Sequence, residues 1–186
     1  MTNFKDGYQV FNATNENTLN EIINKVKELF IKNFHIDEKD RDIFNDFHKI
    51  LPKISPAELN EKRTKIIKEL NESLDCGKLL FEAFKDIIIK LIGPDILVQK
   101  NCNLVIQPPQ DPNPSELHRD APANSPYEIV LWVPLVNCYK TKAMYIVNYK
   151  KTSEVYNEFL QTDDWESFEK EAIRSSKHIN VKVNQG

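Results

Sequence analysis

Glycine is scarce in this sequence, with four residues in 186. A chain so poor in glycine offers no glycine-rich loop to wrap a nucleotide phosphate. Cysteine is rarer still: Cys76, Cys102 and Cys138 are odd in number, widely spaced and without a CxxC pair. That argues against a disulfide framework and a zinc ribbon, and reads as three buried thiols in a reducing cytoplasm. No long apolar run is present. KDIIIKLIG comes nearest and is broken by charges and then by Gly93-Pro94, short of the roughly 20 apolar residues that span a bilayer. The opening MTNFKDGYQVFN lacks the apolar core of a signal peptide, so a cytoplasmic protein with no membrane partner is expected. An excess of positive charge is missing too. With a formal net charge of −3 and acids interspersed among the lysines, nucleic acid is not an expected partner.

What remains is an ordinary soluble composition. Hydrophobic residues make up 40% and charged residues 28%, a balance that favours a packed core over disorder. The length suits a single domain over residues 1–186. Residues 1–94 read as a mainly helical layer. Leu19, Ile22, Ile23, Val26, Leu29 and Phe30 repeat at helical spacing behind Thr18 and Glu21, which resemble a capping box. Ile43, Phe44, Phe47, Ile50 and Leu51 form a shorter stripe. Ser55-Pro56-Ala57-Glu58 is a stronger helix start, with Leu59, Ile66, Ile67 and Leu70 on the buried face. A further helix is predicted over 79–92, ended by Gly93-Pro94.

From residue 95 the pattern changes to strands with inserted helices. Short strands are predicted at 96–98, 104–106, 129–136, 143–147 and 179–183, and helices at 153–160 and 163–176. The proline-rich stretch 108–114 must be a loop. Helices outside a mostly antiparallel sheet or barrel, an α+β arrangement, is the simplest architecture.

The chemistry rests on SELHRDAPANSPYEIVLWVPLV, residues 115–136. His118 and Asp120 could be a surface hydrogen-bonded pair. A kinase catalytic loop is the second reading of His118-Arg119-Asp120, and it fails: the position that needs a magnesium-holding asparagine is Ser125, and no DFG triplet follows. The third is a metal site. In an extended segment residues two apart share a face, so an imidazole and a carboxylate would project together while Arg119 points away. That supplies two donors of the 2-His-1-carboxylate facial triad of Fe(II) oxygenases.

The stretch from Asn103 to Asn148, NLVIQPPQDPNPSELHRDAPANSPYEIVLWVPLVNCYKTKAMYIVN, resembles the 2-oxoglutarate and Fe(II)-dependent oxygenases. It is most similar to the branch akin to phytanoyl-CoA dioxygenases found in bacterial surface-carbohydrate clusters, where an IQ-P segment is followed by H-x-D, an SP-[YF]-E-V-V strand and CYKTK. The resemblance implies a double-stranded β-helix, a jelly-roll or cupin-like barrel, with the helical layer packed on it. It implies hydroxylation of a small carbohydrate-related metabolite with Fe(II) as cofactor and 2-oxoglutarate as cosubstrate. His118 and Asp120 match the metal motif. Gln107 and Lys142 are the candidate contacts of 2-oxoglutarate, Lys142 through a charged hydrogen bond or else as a solvated strand end. Trp132 lines the substrate pocket or packs in the core.

The sequence departs from the family near its end. A distal iron-binding histidine and a following arginine are expected after a V-x-V-x-x-G-D segment, and the chain stops at INVKVNQG. The barrel is therefore expected to be incomplete at its C-terminal side, with an open sheet edge that favours a homodimer. His178 is the one histidine after Asp120 and so the candidate substitute. His35 and His48 read as partly exposed polar residues. The alternative function is a non-catalytic binding module with a vestigial HxD motif.

Overall fold

Two compact units divide the chain, one over residues 11–111 and one over 112–186 together with 2–10. The structure is a computed structural model and describes residues 6–37, 42–109, 117–118 and 128–183.

In the first unit, helix α1 runs from Glu16 to Phe34. Its cap is Asn15, whose side chain accepts from the Thr18 amide at 3.3 Å, so the helix starts ahead of the capping box that Thr18 and Glu21 suggest. The stripe read from sequence is its buried face, with Ile22, Val26, Leu29, Phe30 and Phe34 inside. Burying each such side chain contributes about 1.5–3 kcal/mol before entropy is subtracted. The stripe at 43–51 becomes a four-residue helix, α2 (Ile43–Asp46), followed by two 3₁₀ turns. Its rings close on α1: Phe34 and Phe47 meet edge to face at 4.7 Å, and Phe30 touches Phe44 and Phe47.

Helix α3, Pro56–Ser73, begins where the sequence signals it. Ser55 Oγ accepts from the Glu58 amide at 3.2 Å, and Pro56 occupies the first turn. Ile66 and Leu70 are its fully buried residues. Helix α4 spans Cys76–Ile92, capped by Asp75 and ended at Gly93, whose φ of 92° suits glycine. Both α3 and α4 pack against α1, and the Thr14 amide and hydroxyl donate to Ala83 of α4 at 2.8 and 3.1 Å.

The second unit holds a two-stranded antiparallel sheet and a helical hairpin. Strand β1, Met144–Ile146, pairs with β2, Lys177–Ile179, with Met144 opposite Ile179 and Ile146 opposite Lys177. An isolated bridge between Cys138 and Val181 extends the pairing. Between the strands lie α5 (Tyr149–Thr162) and α6 (Trp165–Arg174), turned by Asp163 at φ 51° and capped by Asp164. Phe159, Trp165 and Phe168 stack across this hairpin at 5.0–5.7 Å.

The double-stranded β-helix expected from the resemblance is corrected here. Among the described residues the chain is mostly helical, with one two-stranded sheet and no barrel wall. The predicted strands at 96–98, 104–106 and 129–136 run without strand pairing. A barrel strand is held by a ladder on each side, and these segments have none. Ile129, Val130, Leu131 and Trp132 are each at least 42% exposed instead of facing an interior. The predicted strand at 143–147 contains β1, whereas the one at 179–183 meets β2 only at Ile179 and reaches the isolated bridge at Val181.

Candidate functional site

His118 is an exposed residue in irregular chain of the second unit. Asp120, its expected partner in metal binding, lies outside the described residues, and so does Arg119. A shared face for His118 and Asp120 requires an extended strand, and the described neighbours at 117–118 and 128–136 form none. Among the described residues, no three histidine, cysteine, aspartate or glutamate side chains gather to hold a metal ion. The described side chains thus do not complete a ferrous site.

Lys142 closes a 3₁₀ turn, Lys140–Lys142, that leads into β1. Its side chain is exposed, and its charge offsets part of the rise that burial imposes on the Cys138 thiol. Behind it, Cys138 is buried and exchanges backbone hydrogen bonds with Val181 at 2.8 and 3.0 Å, while Asn137 Oδ1 accepts from the Val183 amide at 2.8 Å. The turn is thereby held to the chain beyond β2. Trp132 is 42% exposed in the unpaired apolar run. Gln107 is an exposed residue of the first unit.

His178 sits on β2, opposite Tyr145, and the two rings meet at 4.3 Å, close to edge on. That contact is a cross-strand pair of the kind that stabilises a small sheet. His35 is the left-handed cap of α1, its amide donating to Ile31, and His48 places Nδ1 2.7 Å from the Asn45 carbonyl. Both are exposed, as expected.

The strongest electrostatic cluster was not among the residues singled out from sequence. Glu171 of α6 accepts from Arg174 at 2.8 Å and from Ser175 at 3.2 Å, and pairs with Lys151 of α5 at 3.2 Å. These donors, Arg174 foremost, hold its carboxyl down at about 2. The group ties one helix of the hairpin to the other and reads as structural.

A second grouping joins two cysteines. Cys76 is the first residue of α4 and has no exposed surface. Cys102 is half-buried on the segment that passes this helix end. The segment is fixed from two sides. Asn71 of α3 accepts from the Cys102 amide and donates to its carbonyl, both at 2.9 Å, and the Gly77 amide donates to Lys100 at 2.8 Å. A Cβ on Gly77 would lie 2.0 Å from the Gln99 carbonyl oxygen, so glycine is what admits the strand of chain. This brings the Cys102 segment against the helix start that carries Cys76. Interaction with Cys102, together with burial, pushes the Cys76 thiol up, and the same interaction brings Cys102 down to about 7. Nothing in the spacing of the cysteines announces this pairing; it depends on Asn71 and on a helix start earlier than the sequence pattern suggested.

A cavity of about 20 Å³ lies among Ile36, Ile43, Asp46, Phe47 and Ile50. That is room for about one water, far too little for a sugar or for 2-oxoglutarate. No helix among the described residues is long and apolar enough to cross a membrane. No family model, curated protein or solved structure matches the chain.

Proposed function

We propose that this chain derives from the Fe(II)/2-oxoglutarate-dependent oxygenases and acts on, or binds, a small carbohydrate-related metabolite. The observation that carries the reading is the HxD pair, His118 and Asp120, set within the Asn103–Asn148 stretch that resembles that family. An imidazole and a carboxylate are two of the donors of the facial triad, and 2-oxoglutarate bound to the ion would occupy further positions. Lys142 carries the charge suited to the distal carboxylate of that cosubstrate. A cytoplasmic location accords with three cysteines outside any disulfide.

Succinate release from 2-oxoglutarate, after anaerobic loading with Fe(II), tests the activity. It is to be measured in this chain and in any natural chain that continues past Gly186. Turnover that disappears in His118→Ala supports an oxygenase. Metal-dependent 2-oxoglutarate binding without turnover supports a reduced, binding role.

The second reading, a binding module in which HxD is vestigial, is favoured by the exposure of His118 and the lack of a gathered ligand set among the described residues. It predicts no iron affinity and no effect of His118→Ala on ligand binding.

A further inference from the structure

We propose that Cys76 and Cys102 form an oxidation-sensitive pair, with Cys102 as the peroxide-reactive thiol and Cys76 as its resolving partner. The segment that carries Cys102 runs against the helix start that carries Cys76, and the two thiols perturb each other, although 25 residues separate them in sequence. Their approach is built into the backbone. Asn71 grips the amide and carbonyl of Cys102, Gly77 bonds to Lys100, and the absent side chain of Gly77 leaves space for Gln99.

The exposures divide the labour. Cys102 keeps contact with solvent, whereas Cys76 is sealed at the start of α4. Reactivity in thiols follows thiolate character and access together. Cys102 has both, because its surface is partly open and the neighbouring Cys76 thiol favours its thiolate. Cys138 has neither: it is buried and its thiol is held in the protonated form.

The chemistry balances with hydrogen peroxide as oxidant. The Cys102 thiolate attacks one peroxide oxygen, the O–O bond breaks, and hydroxide leaves and is protonated to water. Cys102 is then a sulfenic acid. The Cys76 sulfur attacks the Cys102 sulfur, a second water leaves with the Cys76 proton, and an S–S bond forms. Two thiols and one peroxide yield one disulfide and two waters. The bond would clamp the 99–104 segment to the N-terminal end of α4.

The experiment treats the full chain with hydrogen peroxide, blocks remaining thiols by alkylation, and maps the peptides by mass spectrometry. The expected result is a linked peptide joining Cys76 to Cys102, with Cys138 still alkylated. Cys102 should be lost about tenfold faster than Cys138. In Cys76→Ser, a sulfenic-acid trap should label Cys102; in Cys102→Ser, Cys76 should survive the same dose. Because Cys76 is buried and its variant could misfold, the wild-type chain is decisive by itself. A wild-type chain in which Cys102 proceeds to sulfinic acid unlinked, links to Cys138, or stays reduced alongside Cys138 would overturn the proposal.

Discussion

Asn71 holds Cys102 through both edges of one amide, and no other side chain could do this at the same place without a matching donor and acceptor. Asn71→Ala leaves the Cys102 amide and carbonyl without that partner. The expected cost is about 1–3 kcal/mol, read as a lower denaturation midpoint. The yield of Cys76–Cys102 linkage should fall with it; an unchanged yield would mean that Asn71 does not position the loop. Glu171 gives a prediction of a different kind. Its folded value of about 2 lies below the ordinary 4.5. Its contribution is therefore complete above pH 4.5 and is lost as pH falls toward 2. The effect is modest, because the side chain is a quarter exposed and the pairs are screened by salt. Trp165 stacks in the same hairpin, so its fluorescence in a Trp132→Phe background should report loosening across that pH window. Glu171→Gln should remove the acid transition, and a transition of the same size in that variant would refute the assignment.

At the scale of elements, Gly77 is where the start of α4 and the 99–102 segment approach closely enough to exclude a side chain. Gly77→Ala puts a methyl 2.0 Å from a backbone oxygen that has no rotamer to escape into. The loop or the helix must shift, at a cost of about 1–3 kcal/mol. Urea unfolding should show that loss, and amide exchange should show it concentrated around residues 99–102; full stability in Gly77→Ala would contradict the packing described. The helices were the legible part of the sequence. Helical periodicity and a side-chain cap are local signals, and Ser55-Pro56 shows both in the right place. Even the misplaced start of α1 is an ambiguity between two nearby caps, Asn15 and Thr18. Strands were less legible for a physical reason. β-branched and aromatic runs report a surface that would fit between partners, but the partners are remote in sequence. The run at 143–147 found Lys177–Ile179; the run at 129–136 found none. The same limit applies to the site. Types and spacing at His118 and Asp120 are visible in the sequence, whereas the gathering of a ligand set depends on long-range pairing.

At the scale of the molecule, the second unit exposes much of its apolar surface. Ile129, Val130, Leu131 and Trp132 are open, and so are Tyr139, Tyr156 and Leu160. Among the described residues its buried hydrophobic side chains are Cys138, Ala143, Val155, Ala172 and Ile179, mostly small. A contiguous exposed apolar run of this kind favours association. Light scattering should give an apparent mass that rises with concentration, and Leu131→Lys should reduce it; a monomer at all concentrations would argue against self-association. The larger question is whether the HxD pair still grasps an ion. Anaerobic titration with Fe(II) in the presence of 2-oxoglutarate, followed by the visible charge-transfer band and by calorimetry, asks this directly. Saturable binding is expected, lost in both His118→Ala and Asp120→Ala and retained in His178→Ala. Absence of binding by the unaltered chain, or binding indifferent to His118, would contradict the proposed role of the HxD pair.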